Sequence, residues 1–418
     1  MRILWLSNII LPEFSEEFSL RRNPIGGWMT GFLRRLELDP DIEVGFCFPI
    51  IDKSRLKDGK LNSFKYYSFH FDYSTDVYDS KMIDRFKYIL NDFCPDVVHI
   101  WGTELYSSSA MVEACKMLSI HDKVIIDIQG LVHYISNYHY YANIPEKYIS
   151  MKSSECTTIE EDRTTLIERG QFELNLLKEA RNVFGRTEWD KACVTQINTG
   201  ADYHFCNRML RPLFYENIGK WRITDCERHS IFVSQAHVTY KGFHYLLQAM
   251  PIVLKKYKET HIYVAGKNPI EETSKGVKPY GVYIKDLIER FDLSENITFL
   301  GYIDEAQMVE RYMKSHVFIS CANIENQCNS VTEAKLLGVP VICSNVGGMY
   351  ERIDHGTDGF LYQHDAPYMM AYYICRIFEN DGLAECFSKN ASASMIADTD
   401  REENSRRIID VYKKIANA

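Results

Sequence analysis

Short continuous apolar runs recur through the first half of the chain, at Ile3–Leu6, Val44–Cys47, Val97–Ile100, Val124–Ile128 and Asn182–Gly185. A run without polar alternation is what a strand covered on both faces requires. Between these runs, apolar positions return every three or four residues, which predicts helices at Trp28–Leu36, Lys81–Phe93 and Glu160–Ala180. Strands alternating with helices predict an α/β fold with a parallel sheet and helices on both faces. The pattern lapses over Arg211–Arg228, which reads as an interdomain connection, and then restarts. Strands are predicted at Ser230–Val233, His261–Ala265, Ile297–Leu300, Val317–Ser320 and Pro340–Ser344. Helices are predicted at Gly242–Tyr257, Gly281–Phe291 and Glu305–Lys314. The chain therefore reads as two Rossmann-like domains, 1–212 and 213–398, with a terminal helix at Glu402–Ala418 in a closing segment 399–418.

A length of 418 residues agrees with two cores rather than one. The formal net charge of −9 argues against nucleic acid as a partner. Twelve cysteines are scattered without a CxxC or a Cys/His ligand spacing, as expected of small core residues in a reducing compartment. The opening MRILWLSNIILP is too short an apolar run for a signal peptide, and no stretch approaches the ~20 apolar residues of a membrane span. The expectation is a cytoplasmic protein. Trp28, Met29, Phe32 and Leu33 share one helical face, so peripheral association with the inner face of a membrane stays open beside a core role.

The densest chemistry lies in ISCANIENQCNSVTEAKLLGVPVICSNVGG, Ile319 to Gly348. It reads as strand, polar loop carrying Glu325, a short helix with Glu333 in its first turn, a second strand and the pair Gly347-Gly348. Open α/β sheets bind ligands outside the carboxyl ends of their strands, and helix N-termini favour phosphate. Carboxylates that hold hydroxyls beside amides that hold phosphate would suit a nucleotide-sugar. The alternative is that Ser330 and Glu333 form a capping box and serve only to start the helix. Lys241 is expected to open a helix, where the dipole disfavours a cation by ~0.3–1 kcal/mol. Facing a diphosphate oxygen about 4 Å away would return ~4 kcal/mol at an effective dielectric of about 20, so a lysine there points to an anion. The alternative is that it reaches solvent. Gly26-Gly27, opening a helix after a long loop, would let backbone approach a phosphate or sugar.

On these residues the chain resembles a retaining glycosyltransferase of family 4 with the GT-B fold, of the kind found in bacterial surface-polysaccharide biosynthesis. The resemblance is carried by Gly26-Gly27, PDVVHIWGTE (Pro95 to Glu104), FGRTEWDKACV (Phe184 to Val194), YKGFHYLLQAM (Tyr240 to Met250) and the Glu-x7-Glu pair with GVPVICSNVGG. It implies two Rossmann-like domains facing a deep cleft, the first for the acceptor and the second for the sugar nucleotide, with the C-terminal helix crossing back to the first. It implies that Glu333 bonds the ribose, that Glu325 meets the transferred sugar, and that amides near Asn329 and Ser330 face the diphosphate. Gly301-Tyr302 would line the base pocket.

Three positions depart from the family pattern. Gln235 stands where an arginine is usual, leaving His237 or Arg186 as candidate compensating cations. The segment between the glutamates is NQCNSVT, and Gln129 replaces a histidine, with His133 four residues on as the candidate catalytic group. The reaction implied is transfer from a nucleotide-sugar, UDP favoured, to a hydroxyl of a saccharide or lipid-linked acceptor. No cofactor and no metal are implied: the Asp39/Asp41 and Asp398/Asp400 pairs read as turns. Two alternatives stay open, a weakly catalytic subunit that steers a partner transferase and a GT-B-fold UDP-sugar epimerase.

Overall fold

The computed structural model describes residues 1–20, 26–73 and 79–417, with residues 27 and 28 described by backbone alone. The chain divides into two compact units, one built from Met1–Tyr134, Leu166–Met209 and Thr399–Ala418, the other from Ile135–Thr165 and Leu210–Asp398.

The first unit holds eight strands: β1 Arg2–Ser7, β2 Glu43–Ile50, β3 Gly59–Leu61, β4 Phe64–His70, β5 Val97–Trp101, β6 Val124–Asp127, β7 Asn182–Gly185 and β8 Asp202–Phe205. They run β3-β4-β2-β1-β5-β6-β7-β8, parallel except for the β3/β4 pair at one edge. The hairpin β3/β4 and the strand β8 were not expected. Asp202–Phe205 carries no fully buried side chain, so its sequence has no core-strand signature. Two apolar clusters cover the faces of this sheet. Met29, Phe32 and Leu33 are all at most 1% exposed within one of them, which assigns that helical face to the core rather than to a membrane surface. The terminal helix, Arg401–Ala416, belongs to this unit. Its Tyr412 hydroxyl lies 2.5 Å from Nδ1 of the fully buried His99.

The second unit holds β9 Glu227–Val233, β10 His261–Ala265, β11 Ile297–Gly301, β12 Ser315–Ser320, β13 Val341–Ser344 and β14 Phe360–Tyr362. Their order is β11-β10-β9-β12-β13-β14 and every pairing is parallel. The order reverses between β9 and β12, so the crevice for a ligand lies at their carboxyl ends. Among the described residues no helix is long and apolar enough to cross a membrane.

Two expectations about the domain boundaries change. Residues 135–165, expected with the first domain, cluster with the second unit. Ala142, Ile144, Tyr148 and Ile159 join its core, and the Ala142 carbonyl accepts from the Tyr245 hydroxyl at 2.8 Å. Arg211–Arg228 is not a free connection either. It contains a helix, Pro212–Glu216, and Trp221, 1% exposed, donates from its indole to the Ser315 carbonyl at 2.8 Å.

Candidate functional site

The loop after β9 and the loop after β12 meet at the reversal of strand order. Ser234, Gln235 and Lys241 come from the first; Cys321, Ala322, Glu325 and Cys328 come from the second, with Ser330 from the helix that follows it. Together with the ends of the strands they line a cavity of about 40 Å³. Lys241 ends a short 3-10 turn, Thr239–Lys241, rather than opening the following helix, and Gly242 caps that helix in left-handed backbone. The chain is held there closely: a Cβ at Gly242 would meet the Cys321 carbonyl oxygen at 1.9 Å.

Lys241 does not reach for solvent. Its Nζ lies 2.5 Å from Oε1 of Glu325, with the two side chains 21% and 11% exposed. Burial works against the charge of Lys241, but the neighbouring Glu325 carboxylate outweighs it and raises the lysine above its ordinary value. The cation and the first carboxylate expected of the site are therefore one ion pair.

Glu333 lies in the second turn of the helix Asn329–Leu337, not the first. The cap is Cys328 and its side chain makes no capping bond, so the capping-box alternative is not what this glutamate does. Its Oε1 accepts from Arg211 Nη2 at 3.0 Å and its Oε2 from the Tyr312 hydroxyl at 3.3 Å. Burial pushes the Glu333 carboxyl up, and the Arg211 guanidinium partly offsets this. Arg211 was missing from the sequence expectation because it falls in the segment read as a connection. Asn329 and Ser330 occupy the first turn of the same helix, where amides lack intrahelical acceptors. Gly301 ends β11 at φ +69°, and Tyr302 beside it is exposed.

The compensating cations expected for Gln235 are otherwise engaged. Arg186 is in the first unit, buried, with Nη2 donating to the carbonyls of Ile128 and Gln129 at 2.7 and 2.8 Å. Burial and the neighbouring Arg208 lower it to about 10. His237 is no imidazolium near neutral pH: burial and then Lys267, Lys241 and Lys278 lower it to about 4. Among these candidates, Lys241 is the one cation that lines the crevice.

In the first unit the reversal of strand order falls between β1 and β5. Asn8, after β1, hydrogen-bonds Glu104, after β5. Burial raises the carboxyl of Glu104. Close by, Glu173 accepts from the Thr103 hydroxyl at 2.5 Å and from the amides of Val132 and His133 at 3.2 and 2.9 Å. Burial raises Glu173 to about 7. His133 is thus placed by its backbone on a buried carboxylate, and burial lowers its imidazole. Gly26 caps the helix Gly27–Leu36 at φ +97°, while residues 21–25 before it lie outside the described residues. The Asp pairs have structural work: Asp39 accepts from the Asp41 amide, Asp398 pairs with Arg352, and Asp400 caps the terminal helix.

Residues 216–394 match the family described as glycosyl transferases group 1. An uncharacterized glycosyltransferase of Methanocaldococcus jannaschii is 25% identical over 201 residues, 48% of this chain and 47% of that one. The chain thus spans about half the length of that relative. Sucrose-phosphate synthase from Thermosynechococcus elongatus superposes with a TM-score of 0.71 at 15% identity, over 99% of both chains. Anabaena HepE in complex with UDP-glucose superposes with a TM-score of 0.67 at 14% identity, over 99% of this chain and 100% of that one. The two parallel-sheet α/β units of this order have the GT-B fold, and residues 216–394, which lie within the second unit, match the group 1 glycosyl transferases.

Proposed function

We propose that the chain is a metal-independent retaining glycosyltransferase that moves a sugar from a nucleotide-sugar, UDP favoured, to a hydroxyl of a saccharide or lipid-linked acceptor in surface-polysaccharide synthesis. The observation that carries this reading is the Lys241–Glu325 pair at the carboxyl ends of β9 and β12. A diphosphate oxygen competes for the Lys241 ammonium, and the freed Glu325 carboxylate then accepts from hydroxyls of the transferred sugar. The amides of the helix Asn329–Leu337 face the phosphates, and Glu333, fixed by Arg211 and Tyr312, meets the ribose. The acceptor oxygen bonds to the anomeric carbon as the bond from that carbon to the diphosphate oxygen breaks. The acceptor's proton passes to the leaving phosphate, so orientation and charge stabilisation are the protein's contribution.

HepE in complex with UDP-glucose supports a uridine donor by likeness of fold. A Klebsiella pneumoniae protein encoded in a cps region, 24% identical over 148 residues, supports the surface-polysaccharide setting. The test is a screen of sugar nucleotides for thermal stabilisation, followed by release of nucleoside diphosphate with and without saccharide acceptors. Binding of a sugar nucleotide by the wild type, with turnover that Glu325→Gln abolishes, would establish the reading. A second reading, a partner-stabilising subunit, rests on Gln235 and on Lys241 being the single cation that lines the crevice among the described residues. It wins if purified protein binds no sugar nucleotide.

A further inference from the structure

A second cavity, of about 120 Å³, lies in the same unit and shares no lining residue with the Lys241–Glu325 crevice. Its walls are the loop after β9 (His237, Thr239), the loop after β10 (Lys267, Asn268, Pro269) and the start of the helix Pro279–Arg290. Three features of the wall are donors without acceptors. The Thr239 side chain is 4% exposed and its hydroxyl has no hydrogen-bond partner. Lys267 forms no ion pair among the described residues. The helix begins with Pro279, which has no amide hydrogen, and its first backbone bond is donated by Val282 to the Lys278 carbonyl at 3.0 Å. The amides of Tyr280 and Gly281 therefore stand at the positive end of a helix dipole facing the cavity.

We propose that this cavity is a binding site for a phosphate-type oxyanion, distinct from the donor's diphosphate site. A buried hydroxyl, an unpaired ammonium and a helix N-terminus converge there, and an oxyanion satisfies all three. The other charges on the rim do not oppose it strongly. Asp162 is neutralised by Lys278 at 2.9 Å, and Glu271 is exposed at the outer edge. The Nδ1 of His237 is a further buried atom without a partner, able to donate once an acceptor arrives. That the imidazole is held neutral by burial and three lysines is the mark of a positive potential in this corner. The volume suits one phosphate group, since whole small-molecule ligands occupy pockets of roughly 300–1,000 Å³. On the glycosyltransferase reading, the nearness of Lys241 to His237 would put this group beside the transfer site, where a phosphorylated saccharide acceptor could carry it.

The test is titration with inorganic phosphate, and separately with a hexose phosphate, at fixed ionic strength and in the presence of saturating UDP. Wild type is expected to bind, and Lys267→Ala and Thr239→Val are each expected to weaken binding about tenfold. Lys275→Ala, on the same loop but outside the cavity, serves as the control and should leave affinity unchanged. Tighter binding of the hexose phosphate than of phosphate identifies an esterified ligand; equal binding identifies free phosphate. Competition between phosphate and UDP, or equal affinity in wild type, Lys267→Ala and Thr239→Val, would overturn the proposal. Failure of UDP to bind counts against the glycosyltransferase reading alone, because the phosphate titration is then read without it.

Discussion

The carbonyl of Glu325 lies so close to Gly347 that a Cβ there would sit 1.9 Å from its oxygen, and the amide of Gly348 donates to the same carbonyl at 3.1 Å. The glycine pair after β13 therefore fixes the backbone of the glutamate that pairs with Lys241. Gly347 also has φ +53°, a left-handed conformation costly for other residues. Gly347→Ala should destabilise the protein by about 1–3 kcal/mol, through strain and displaced backbone. It should lower kcat far more than a surface substitution of equal stability cost. Urea unfolding with parallel rate measurements checks this, and unchanged kcat in a folded variant would detach the glycine pair from the site.

Glu325→Gln removes the partner of a half-buried ammonium, so stability should fall by on the order of 1–3 kcal/mol. Because the diphosphate then no longer competes with a carboxylate for Lys241, nucleoside diphosphate should bind a few-fold tighter even as turnover drops. Calorimetric titration of both proteins reads this directly. Weaker nucleotide binding in Glu325→Gln would mean that the pair stays closed around the ligand.

Arg211→Ala leaves Glu333 buried with Tyr312 as its remaining protein partner. It should cost about 3–5 kcal/mol if the carboxylate stays charged. The double variant Arg211→Ala/Glu333→Gln should cost less than the sum of the single changes, by roughly 0.5–3 kcal/mol. Both single variants should raise the donor KM with a smaller effect on kcat, since contacts to the ribose are equal in ground and transition states. Additive stability losses would show that the pair is not coupled.

Glu173 gives a pH signature. Its carboxyl stands near 7 in the folded protein against 4.5 ordinarily, so the folded state holds the proton more tightly than the unfolded one. Its contribution is fully present below about 4.5 and is lost as pH rises through about 7. The loss amounts to about 3 kcal/mol. Wild-type stability should therefore decline between pH 5 and pH 8 more steeply than that of Glu173→Gln. Denaturant unfolding at several pH values measures the difference. Parallel curves would place Glu173 in the ordinary carboxylate range.

The rate of transfer should show no limb from His237 between pH 6 and pH 8, because burial, with three lysines adding to it, holds its imidazole neutral down to about 4. His237→Ala should leave the shape of the pH–rate profile unchanged across that range. A limb present in wild type and missing in His237→Ala would restore the imidazolium as the cation of the site.

Local pattern was enough for much of the framework. Asn182–Gly185, His261–Ala265 and Glu305–Lys314 have the bounds their periodicity predicts, because burial on both faces of a strand, or one face of a helix, is written into neighbouring residues. Candidate residues for the second unit's crevice were legible too, since Lys241, Glu325 and Ser330 sit beside strand ends that the sequence marks. Pairings between distant segments were not. Lys241 meets Glu325 across 84 positions and Arg211 meets Glu333 across 122, and only the order of strands in the sheet brings those loops together. The same holds for Arg186, a free cation on paper, which burial commits to two backbone carbonyls. It holds for residues 135–165, whose apolar side chains would suit either unit but pack into the second. A side chain's partner depends on where other segments end in space, and single-sequence periodicity carries no term for that distance.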